Sequence, residues 1–436
     1  MLRLIWRYDQ MNKSLFEQAE KLLAEFKGDA YIHGPGVLDQ IGTVARSCGS
    51  RAVLVADRFP GSQPYLDRIH RSLADAGVAV VAQAPGARPN APREDLERIT
   101  GVLSEHQPDV IASFGGGSTI DATKAAEVVH SLGGDVEEYF GTGLVAKGLA
   151  AAGRRLTPHI AIQTAASSAA HLTKYSNITD IRTSQKKLIV DEAIVPSRSV
   201  FDYDVTLGCP WSLTADGAVD GISHCFEVLC GAAGKPAYER AEEIALTGIG
   251  LVLGHLPVLK TNPRASEARW ALGLATDLGG YAIMIGGTNG AHLTSFSLVD
   301  ILSHGRACGL MNPYYAVLFA EALERPLRAV GELYRREGFS NADFGRLGGR
   351  ELGLAVARAM LDFARAMTLP TSLGEVTGFT DDHIRKALAA AKNPQLRMKL
   401  ENMPIPMRAD DVDEFMGSVL WAAREGDPAR VRSFSS

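Results

Sequence analysis

An aspartate and a histidine four residues apart, Asp220 and His224, are the residues whose types and spacing most directly suggest chemistry. On an α-helix, side chains at this spacing lie on one face with Cβ atoms about 6 Å apart, so both can reach one metal ion. Further along the chain, His292 and His304 are of the types that could complete the site. The pair alone also fits a surface pair or a capped core histidine, so other motifs must decide.

A glycine-rich turn is the second chemical feature. Phe114 ends an apolar stretch typical of a buried strand, and Gly115, Gly116, Gly117 and Ser118 lead from it into a predicted helix. Backbone N–H groups and the positive end of a helix dipole can bind phosphate in this setting. The run is neither Gly-x-Gly-x-x-Gly nor a Walker loop, and a triple glycine also fits a flexible turn. Its place between strand and helix favours phosphate binding.

These motifs need a framework, and the first half of the chain alternates predicted strands with predicted helices. This alternation is typical of an α/β fold with a doubly wound parallel sheet. An amphipathic helix over residues 11–27 precedes it and is predicted to be an addition to the same domain. We predict strands at 51–57, 78–83 and 110–114 and helices at 66–76 and 93–105, with further strand-like pieces at 187–191 and 199–203.

The second half of the chain has helical patterns and almost no strand alternation. The sequence therefore predicts two domains: an α/β nucleotide-binding domain over residues 1–205, including the extra helix, and an all-helical metal-binding domain over residues 206–436. The helical patterns run over 215–230, 238–253, 266–284, 350–366, 381–391 and 409–424.

Composition excludes several classes of protein. With 46% hydrophobic and 22% charged residues the chain is typical of a soluble globular protein and not of a disordered one. A net charge of -5 without a basic run indicates no nucleic-acid or anionic-membrane partner. The five cysteines form no Cys-x-x-Cys pair, which favours a reducing cytoplasm. The apolar run 244–259 is broken by glycines and a proline, so we predict no membrane span there.

Four motifs occur together in one order: Gly-Gly-Gly-Ser-x-x-Asp-x-x-Lys at 115–124, Asp-x-x-x-His within 220–227, Gly-x-His at 290–292 and His-Gly at 304–305. Each motif is weak alone, but the ordered set resembles the iron-containing (group III) alcohol dehydrogenase family, which is related in fold to dehydroquinate synthase and glycerol dehydrogenase. The resemblance extends from Tyr31 to about Ala423.

The resemblance implies a nicotinamide cofactor. Asp57 matches the position that hydrogen-bonds the adenosine ribose, and a carboxylate there would repel a 2′-phosphate, which favours NAD over NADP. Arg58 beside it is the one residue that argues the other way. The implied cofactor-binding residues are Asp57, Gly115, Gly116, Gly117, Ser118, Asp121, Thr164, Ser167 and Lys187.

The resemblance also implies a metal held by Asp220, His224, His292 and His304, and this ligand set suits Fe(II) or Zn(II). The implied activity is hydride transfer between the nicotinamide and a metal-polarised alcohol oxygen in a cleft between the domains. A small alcohol or aldehyde is the expected substrate, and a homodimer the expected assembly. A sugar-phosphate cyclase of the dehydroquinate synthase type, for which Arg306 is the only obvious phosphate-binding candidate, and a non-catalytic nucleotide-binding homologue remain alternatives.

Two departures from the family pattern stand out. Phe296 occupies a position where many members have a second histidine, so either His292 or a neighbour of it could be the third ligand. His171 stands where the family usually has a glutamate. We predict that His171 faces the cleft and takes part in catalysis; the alternative is that it packs or caps its loop.

Overall fold

The structure, a computed structural model, describes residues 2–180 and 185–434. The chain divides into two compact units. Residues Ala24–Cys209 form one, which we call the sheet unit, and Met1–Leu23 together with Pro210–Ser436 form the other, which we call the helical unit.

The elements of the first half are, in chain order, α1 (Leu2–Lys27), β1 (Tyr31–Gly34), α2 (Ile41–Arg46), β2 (Arg51–Ala56), α3 (Gln63–Asp75), β3 (Ala79–Pro85), α4 (Arg93–His106), β4 (Val110–Gly115), α5 (Gly117–Leu132), β5 (Gly141–Thr142), α6 (Leu144–Ala152), β6 (His159–Gln163), β7 (Tyr175–Asp180), β8 (Gln185–Val190) and β9 (Arg198–Asp202). The second half contains α7 (Trp211–Gly231), α8 (Tyr238–Thr261), α9 (Ser266–Ile285), α10 (Gly290–Ser295), α11 (His304–Leu318), α12 (Glu324–Arg336), α13 (Gly349–Ala366), α14 (Asp381–Ala391), α15 (Arg397–Glu401) and α16 (Gly417–Glu425).

A six-stranded sheet in the order β1-β9-β6-β4-β2-β3 is the core of the sheet unit, and all its strand pairs are parallel. Its central strands are almost wholly apolar because helices cover both faces, and apolar clusters lie on both sides of β2 and β4. The predicted doubly wound parallel sheet is confirmed. The strand order reverses between β2 and β4, and such a switch point is where α/β sheets bind ligands.

A small second sheet in the order β5-β8-β7 completes the sheet unit. β7 and β8 pair antiparallel, whereas β5 and β8 pair parallel. The strand predicted at 187–191 therefore belongs to this second sheet and not to the large parallel one. This placement bears on Lys187, which lies on β8.

The helical unit contains no strand in its described residues, as predicted. Its longest helix after α1, α8, is long and apolar enough to cross a membrane by length and composition alone, but 67% of its most apolar stretch is buried within the protein. Small residues let its neighbours approach closely: a Cβ atom on Gly248 would lie 2.9 Å from the sulfur of Cys225 on α7. α8 is thus a core helix, packed between α7 and α9.

Helix α1 differs from its prediction in length and in assignment. It begins at Leu2 and not near residue 11, and its residues up to Leu23 belong to the helical unit and not to the nucleotide-binding domain. The reason is its apolar face: the Phe16 ring packs edge-on against the rings of Trp270 and His255, at 5.1 Å and 5.5 Å between centroids. Amphipathic spacing predicts such a face but does not identify its partner.

Candidate metal centre and nucleotide turn

Three helices of the helical unit bring the four predicted metal ligands together. Asp220 and His224 lie one turn apart on α7, His292 lies on α10, and His304 is the first residue of α11. The Nε2 atoms of His224, His292 and His304 lie 4.0, 3.7 and 3.9 Å from Oδ1 of Asp220. Three imidazole nitrogens therefore converge on one carboxylate oxygen.

This donor set fits a divalent metal ion. Ligand atoms about 2.1 Å from a tetrahedral ion lie about 3.4 Å from one another. The nitrogen–oxygen distances of 3.7 to 4.0 Å are slightly wider, so a small inward movement of the side chains would complete the coordination. Imidazole and carboxylate donors suit both Fe(II) and Zn(II).

The approach of α11 to α7 depends on a glycine and an aspartate. Asp216, one turn before Asp220, accepts hydrogen bonds from Ser303 Oγ and Arg306 Nε at 2.6 and 2.7 Å, which holds the start of α11. A Cβ atom on Gly305 would lie 2.2 Å from the Asp216 carbonyl oxygen. Only glycine therefore lets His304 reach the centre, which gives the His-Gly motif a physical reason.

Glu227, which is not among the predicted site residues, orients His292. Its Oε1 lies 2.6 Å from Nδ1 of His292, and its Oε2 accepts a hydrogen bond from the backbone N–H of Asn289 at 2.6 Å. A carboxylate that accepts from Nδ1 of a histidine directs Nε2 of the same ring at the metal. Burial raises the pKa of Glu227 to about 7. Its spacing from Asp220, seven residues along one helical face, is the signal that could have found it.

The protonation of His224 suits metal binding. Its side chain is buried, and this burial lowers the pKa of His224 to about 4. The imidazole is therefore neutral at physiological pH, the form in which histidine binds metals. Its ring stacks on that of His292, with 4.7 Å between centroids.

A cysteine outside the predicted ligand set lies at the same centre. Cys308 is one turn after His304 on α11, and its sulfur and the donor atoms of Asp220, His292 and His304 all lie within 4.8 Å of one another. Burial raises the pKa of the Cys308 thiol well above its usual value. The four-residue spacing between His304 and Cys308 is the same signal that pointed to Asp220 and His224.

Phe296 and Lys399 border the centre. The Phe296 ring is nearly parallel to that of His304, with 6.2 Å between centroids. The Lys399 ammonium lies over the Phe296 ring, 5.8 Å from its centroid, and donates a hydrogen bond to the Thr288 hydroxyl. The structure thus places His292 with the other ligands and Phe296 beside them. Lys399, distant in sequence, carried no signal in the sequence.

The nucleotide turn lies in the sheet unit, at the carboxyl ends of β2, β4 and β6. Asp57 follows β2, and its two carboxylate oxygens accept hydrogen bonds from the Thr119 hydroxyl and, at 3.1 Å, from the backbone N–H of Gly116. The backbone N–H of Thr164, just after β6, donates to the Gly115 carbonyl at 3.1 Å. Four of the predicted cofactor residues, Asp57, Gly115, Gly116 and Thr164, therefore meet at the switch point of the sheet.

Two of the three glycines are required by packing. A Cβ atom on Gly115 would lie 2.6 Å from Asp57 Oδ2, and one on Gly117 would lie 2.2 Å from the Ser168 hydroxyl oxygen. A Cβ atom on Gly116 would meet no described atom within 4 Å, so this glycine leaves room for close approach. The turn opens α5, whose first N–H groups and dipole suit a phosphate.

The remaining predicted cofactor residues have other contacts. Oδ2 of Asp121 accepts two hydrogen bonds from Asn177 on β7, and Lys187 binds the Glu137 carboxylate with both oxygens at 2.8 Å. The Ser118 hydroxyl accepts a hydrogen bond from the Asn90 backbone at 3.0 Å. Ser167 is half-buried in the loop after β6. Asp121 and Lys187 thus have structural contacts within the sheet unit, and their cofactor-binding role stays a prediction.

His171 is not placed as predicted. Its side chain is fully buried in the sheet unit, where its ring lies 5.4 Å from that of Tyr31 and 5.6 Å from that of Phe201. Its Nε2 lies 3.3 Å from the Tyr31 hydroxyl. The structure favours the packing role over the cleft-facing one. Apolar neighbours from β1 and β9, both distant in sequence, are the reason.

Comparisons with known proteins agree with the motifs. Residues 29–203 match the family model described as iron-containing alcohol dehydrogenase. The chain is 27% identical to the NAD-dependent methanol dehydrogenase of Bacillus methanolicus over 293 residues, 66% of this chain and 74% of that protein. It is 28% identical to the sulfoacetaldehyde reductase of Bilophila wadsworthia over 250 residues, 57% of this chain and 62% of that protein.

Solved structures show the same fold. The alcohol dehydrogenase from Oenococcus oeni matches with a TM-score of 0.77 at 22% sequence identity, over 91% of this chain and 98% of that one. A 1,3-propanediol oxidoreductase matches with a TM-score of 0.76 at 21% identity. The resemblance predicted from the ordered motifs is therefore confirmed: residues 29–203 match the model of the iron-containing alcohol dehydrogenases, and the fold is similar to that of solved alcohol dehydrogenases.

Proposed function

We propose that the protein is an NAD-dependent, metal-dependent alcohol dehydrogenase that also reduces aldehydes or ketones. The observation that carries the proposal is the convergence of three histidine Nε2 atoms on Oδ1 of Asp220, at 3.7 to 4.0 Å. A divalent metal bound there would polarise the carbon–oxygen bond of the substrate, and a bound nicotinamide would exchange the hydride. Relatives named as dehydrogenases and reductases support this reaction class.

The chain's own residues have separable tasks in this proposal. Glu227 keeps Nε2 of His292 directed at the centre. The start of α5 binds the cofactor phosphates, and Asp57 shapes the turn by accepting from Thr119 and Gly116. The Asp57 carboxylate retains lone pairs for ribose hydroxyls, which favours NAD over NADP.

The proposal for the metal is Fe(II) or Zn(II). Three nitrogens and a carboxylate oxygen suit either ion, and the nearby Cys308 sulfur adds a soft donor that favours zinc. Metal analysis of protein purified without chelators, followed by reconstitution with each ion, tests this part of the proposal.

We propose further that the protein is a cytoplasmic homodimer that binds neither nucleic acid nor membrane. The net charge of -5 and cysteines without a pairing pattern support the compartment and the absence of polyanionic partners. Light scattering on the purified protein measures the assembly state, and a single monomeric mass would contradict the dimer.

The activity is tested by NADH absorbance with a panel of alcohols, diols and aldehydes, using wild-type protein and Asp220→Asn. We expect NADH formation by the wild type, loss with chelator, and no turnover by Asp220→Asn with retained cofactor binding. Phosphate release without net NADH would instead indicate the sugar-phosphate cyclase, and cofactor binding without turnover a non-catalytic protein. The cyclase is not favoured, because its candidate Arg306 is held by Asp216 at 2.7 Å.

A further inference from the structure

A buried lysine beside the metal centre has no role in the mechanism above. Lys399 is 4% exposed, and its ammonium donates to the Thr288 hydroxyl. Among the described residues, no carboxylate lies within ion-pair distance of it, and no second hydrogen-bond acceptor is present. Two of its three N–H donors therefore have no acceptor in the described part of the chain.

Such a charge is costly. Taking an ammonium out of water costs several kcal/mol unless a counter-charge compensates. Burial lowers the pKa of Lys399 to about 8, while the more distant Glu227 and Cys308 act in the opposite direction. A methionine or leucine would occupy the same volume without this cost. A retained charge with spare donors suggests a ligand that supplies the missing anion.

The position of Lys399 relates it to the reacting group. Its ammonium lies 5.8 Å from the centroid of the Phe296 ring, and that ring lies 6.2 Å from the ring of His304. Its hydrogen-bond partner Thr288 precedes Asn289, whose backbone N–H donates to Glu227. All these residues belong to the helical unit. An apolar ring thus lies beside both a cation and a metal ligand, which suits a molecule with a charged end and a short carbon chain.

We propose that Lys399 binds an anionic group of the substrate, so that the protein acts on hydroxy or oxo acids in preference to neutral alcohols. The anion is a carboxylate, sulfonate or phosphate ester, the carbon chain lies against Phe296, and the hydroxyl or carbonyl reaches the centre formed by Asp220 and the histidines. This inference rests on the proposed dehydrogenase activity. Charge-assisted hydrogen bonds from an ammonium to an oxyanion are among the stronger polar contacts in proteins.

Kinetics with substrates of matched length test the proposal. In the wild type, kcat/KM for 3-hydroxypropanoate, 3-hydroxypropanesulfonate or 3-hydroxypropyl phosphate should exceed that for 1-propanol by about tenfold or more. Lys399→Met should lower kcat/KM for the preferred anion by about 10- to 100-fold and should change kcat/KM for 1-propanol by less than about twofold. Lys399→Arg should keep most of the preference. The anion with the highest kcat/KM shows whether the substrate carries a carboxylate, a sulfonate or a phosphate ester.

Two controls separate this role from others. Lys392→Met removes a lysine seven residues earlier in the sequence that binds Asp413 on the surface. It should leave kcat/KM for the anionic and the neutral substrate unchanged. The metal content of Lys399→Met should equal that of the wild type. Binding without turnover is measured with propanoate and propanesulfonate, which should raise the melting temperature of the wild type but not of Lys399→Met.

Three outcomes would overturn the proposal. A wild type that prefers 1-propanol, or a Lys399→Met variant that loses both substrates equally or loses its metal, would show that Lys399 only balances Glu227. If Lys399→Met does not fold, the wild-type preference and Lys399→Arg still decide. Absence of NADH with every substrate, neutral or charged, would instead contradict the proposed dehydrogenase activity. The rise in melting temperature with propanoate or propanesulfonate, compared between the wild type and Lys399→Met, would then test anion binding by Lys399 separately.

Discussion

A single carboxylate oxygen organises the metal centre. Oδ1 of Asp220 has three imidazole nitrogens within 4.0 Å, so one negative charge would face a dication among otherwise neutral ligands. The Glu227 carboxylate, which is hydrogen-bonded to Nδ1 of His292, supplies a second negative charge outside the ligand set. The centre can therefore approach neutrality without a second carboxylate touching the metal.

Glu227→Gln should weaken metal binding without unfolding the helical unit. The amide keeps the shape and can still bind near Nδ1 of His292, but it no longer fixes the ring through a charged acceptor. Loss of such a partner typically lowers the affinity for the metal by about 10- to 100-fold. Chelator competition measures the change. Glu239→Gln, on the exposed surface of α8, is the control, and equal affinity of both variants would contradict the role given to Glu227.

Cys308→Ser should change the choice of metal. Its sulfur lies with the donors of Asp220, His292 and His304 within 4.8 Å, and thiolate donors favour soft ions. We expect weaker binding of Cd(II) and little change for Mn(II) in direct titrations. Cys225→Ser removes a buried thiol outside this donor group and should affect neither ion. Unchanged Cd(II) binding in Cys308→Ser would show that the sulfur does not coordinate.

Sequence spacing predicts those site residues that lie on one helix and misses those brought in by tertiary structure. Asp220 and His224 follow from one helical turn, and the ordered motifs add His292 and His304. Lys399 reaches the centre from α15, more than a hundred residues from Phe296, and no local pattern announces it. For His171 the sequence predicts a catalytic role that the structure does not favour. The histidine lies in a loop of small residues, but its ring packs against Tyr31 and Phe201, which are distant in sequence.

At the scale of elements, the switch between β2 and β4 fixes the nucleotide turn. After β2 the chain continues to β3 on one side of the sheet, and after β4 it continues to β6 on the other side. The loops after β2 and β4 therefore diverge, and the start of α5 lies between them. Asp57 then ties one loop to the other through Gly116 and Thr119. The turn is held by side chains as well as by strands.

Gly115→Ala should weaken both the sheet unit and cofactor binding. The added Cβ atom would lie 2.6 Å from both Asp57 Oδ2 and Thr119 Cβ, so Asp57 and Thr119 would have to separate. Overpacking of this kind costs about 1–3 kcal/mol. Denaturant unfolding and NADH fluorescence titration measure the two effects. Gly101→Ala on α4, where a Cβ atom meets nothing within 4 Å, should be neutral or stabilising.

The alternation of strands and helices predicts the sheet well, because buried parallel strands are short apolar runs separated by amphipathic helices. The unit to which each helix or strand belongs is harder to predict from sequence. α1 has the pattern of a surface helix, yet the partners of its apolar face, Trp270 and His255, lie on α9 and α8. Likewise, β8 has a strand pattern but joins the small sheet with β5 and β7. Periodicity shows that a face is buried, not what covers it.

At the scale of the whole molecule, a buried carboxylate in the sheet unit makes stability depend on pH. Glu127 is 2% exposed, and burial raises the pKa of Glu127 from an ordinary 4.5 to about 7. Between these pH values the folded state holds more protons than the unfolded state. The free energy of unfolding therefore falls as the pH rises from about 4.5 to 7.

Glu127→Gln should remove this dependence. Its side-chain oxygen can still accept from the Ser131 hydroxyl and the Thr157 backbone, as Oε1 of Glu127 does at 2.6 and 2.5 Å. At pH 8 we expect the variant to be more stable than the wild type by about 1–3 kcal/mol, with no difference near pH 4.5. Denaturant midpoints across this range measure it. Glu105→Gln, on the surface of α4, should follow the wild type at every pH.

The helical unit is interrupted in sequence by the entire sheet unit, since Met1–Leu23 and Pro210–Ser436 belong together. During synthesis, Phe16 on α1 emerges about 250 residues before Trp270, its ring partner. At ordinary rates of translation this delay lasts roughly 10 to 50 s. For that time the apolar face of α1 has no native partner on the ribosome, while every residue of the sheet unit has been made once Cys209 is added. The helical unit can therefore complete the packing of α1 only after α9 has been made, when the sheet unit is already fully synthesised.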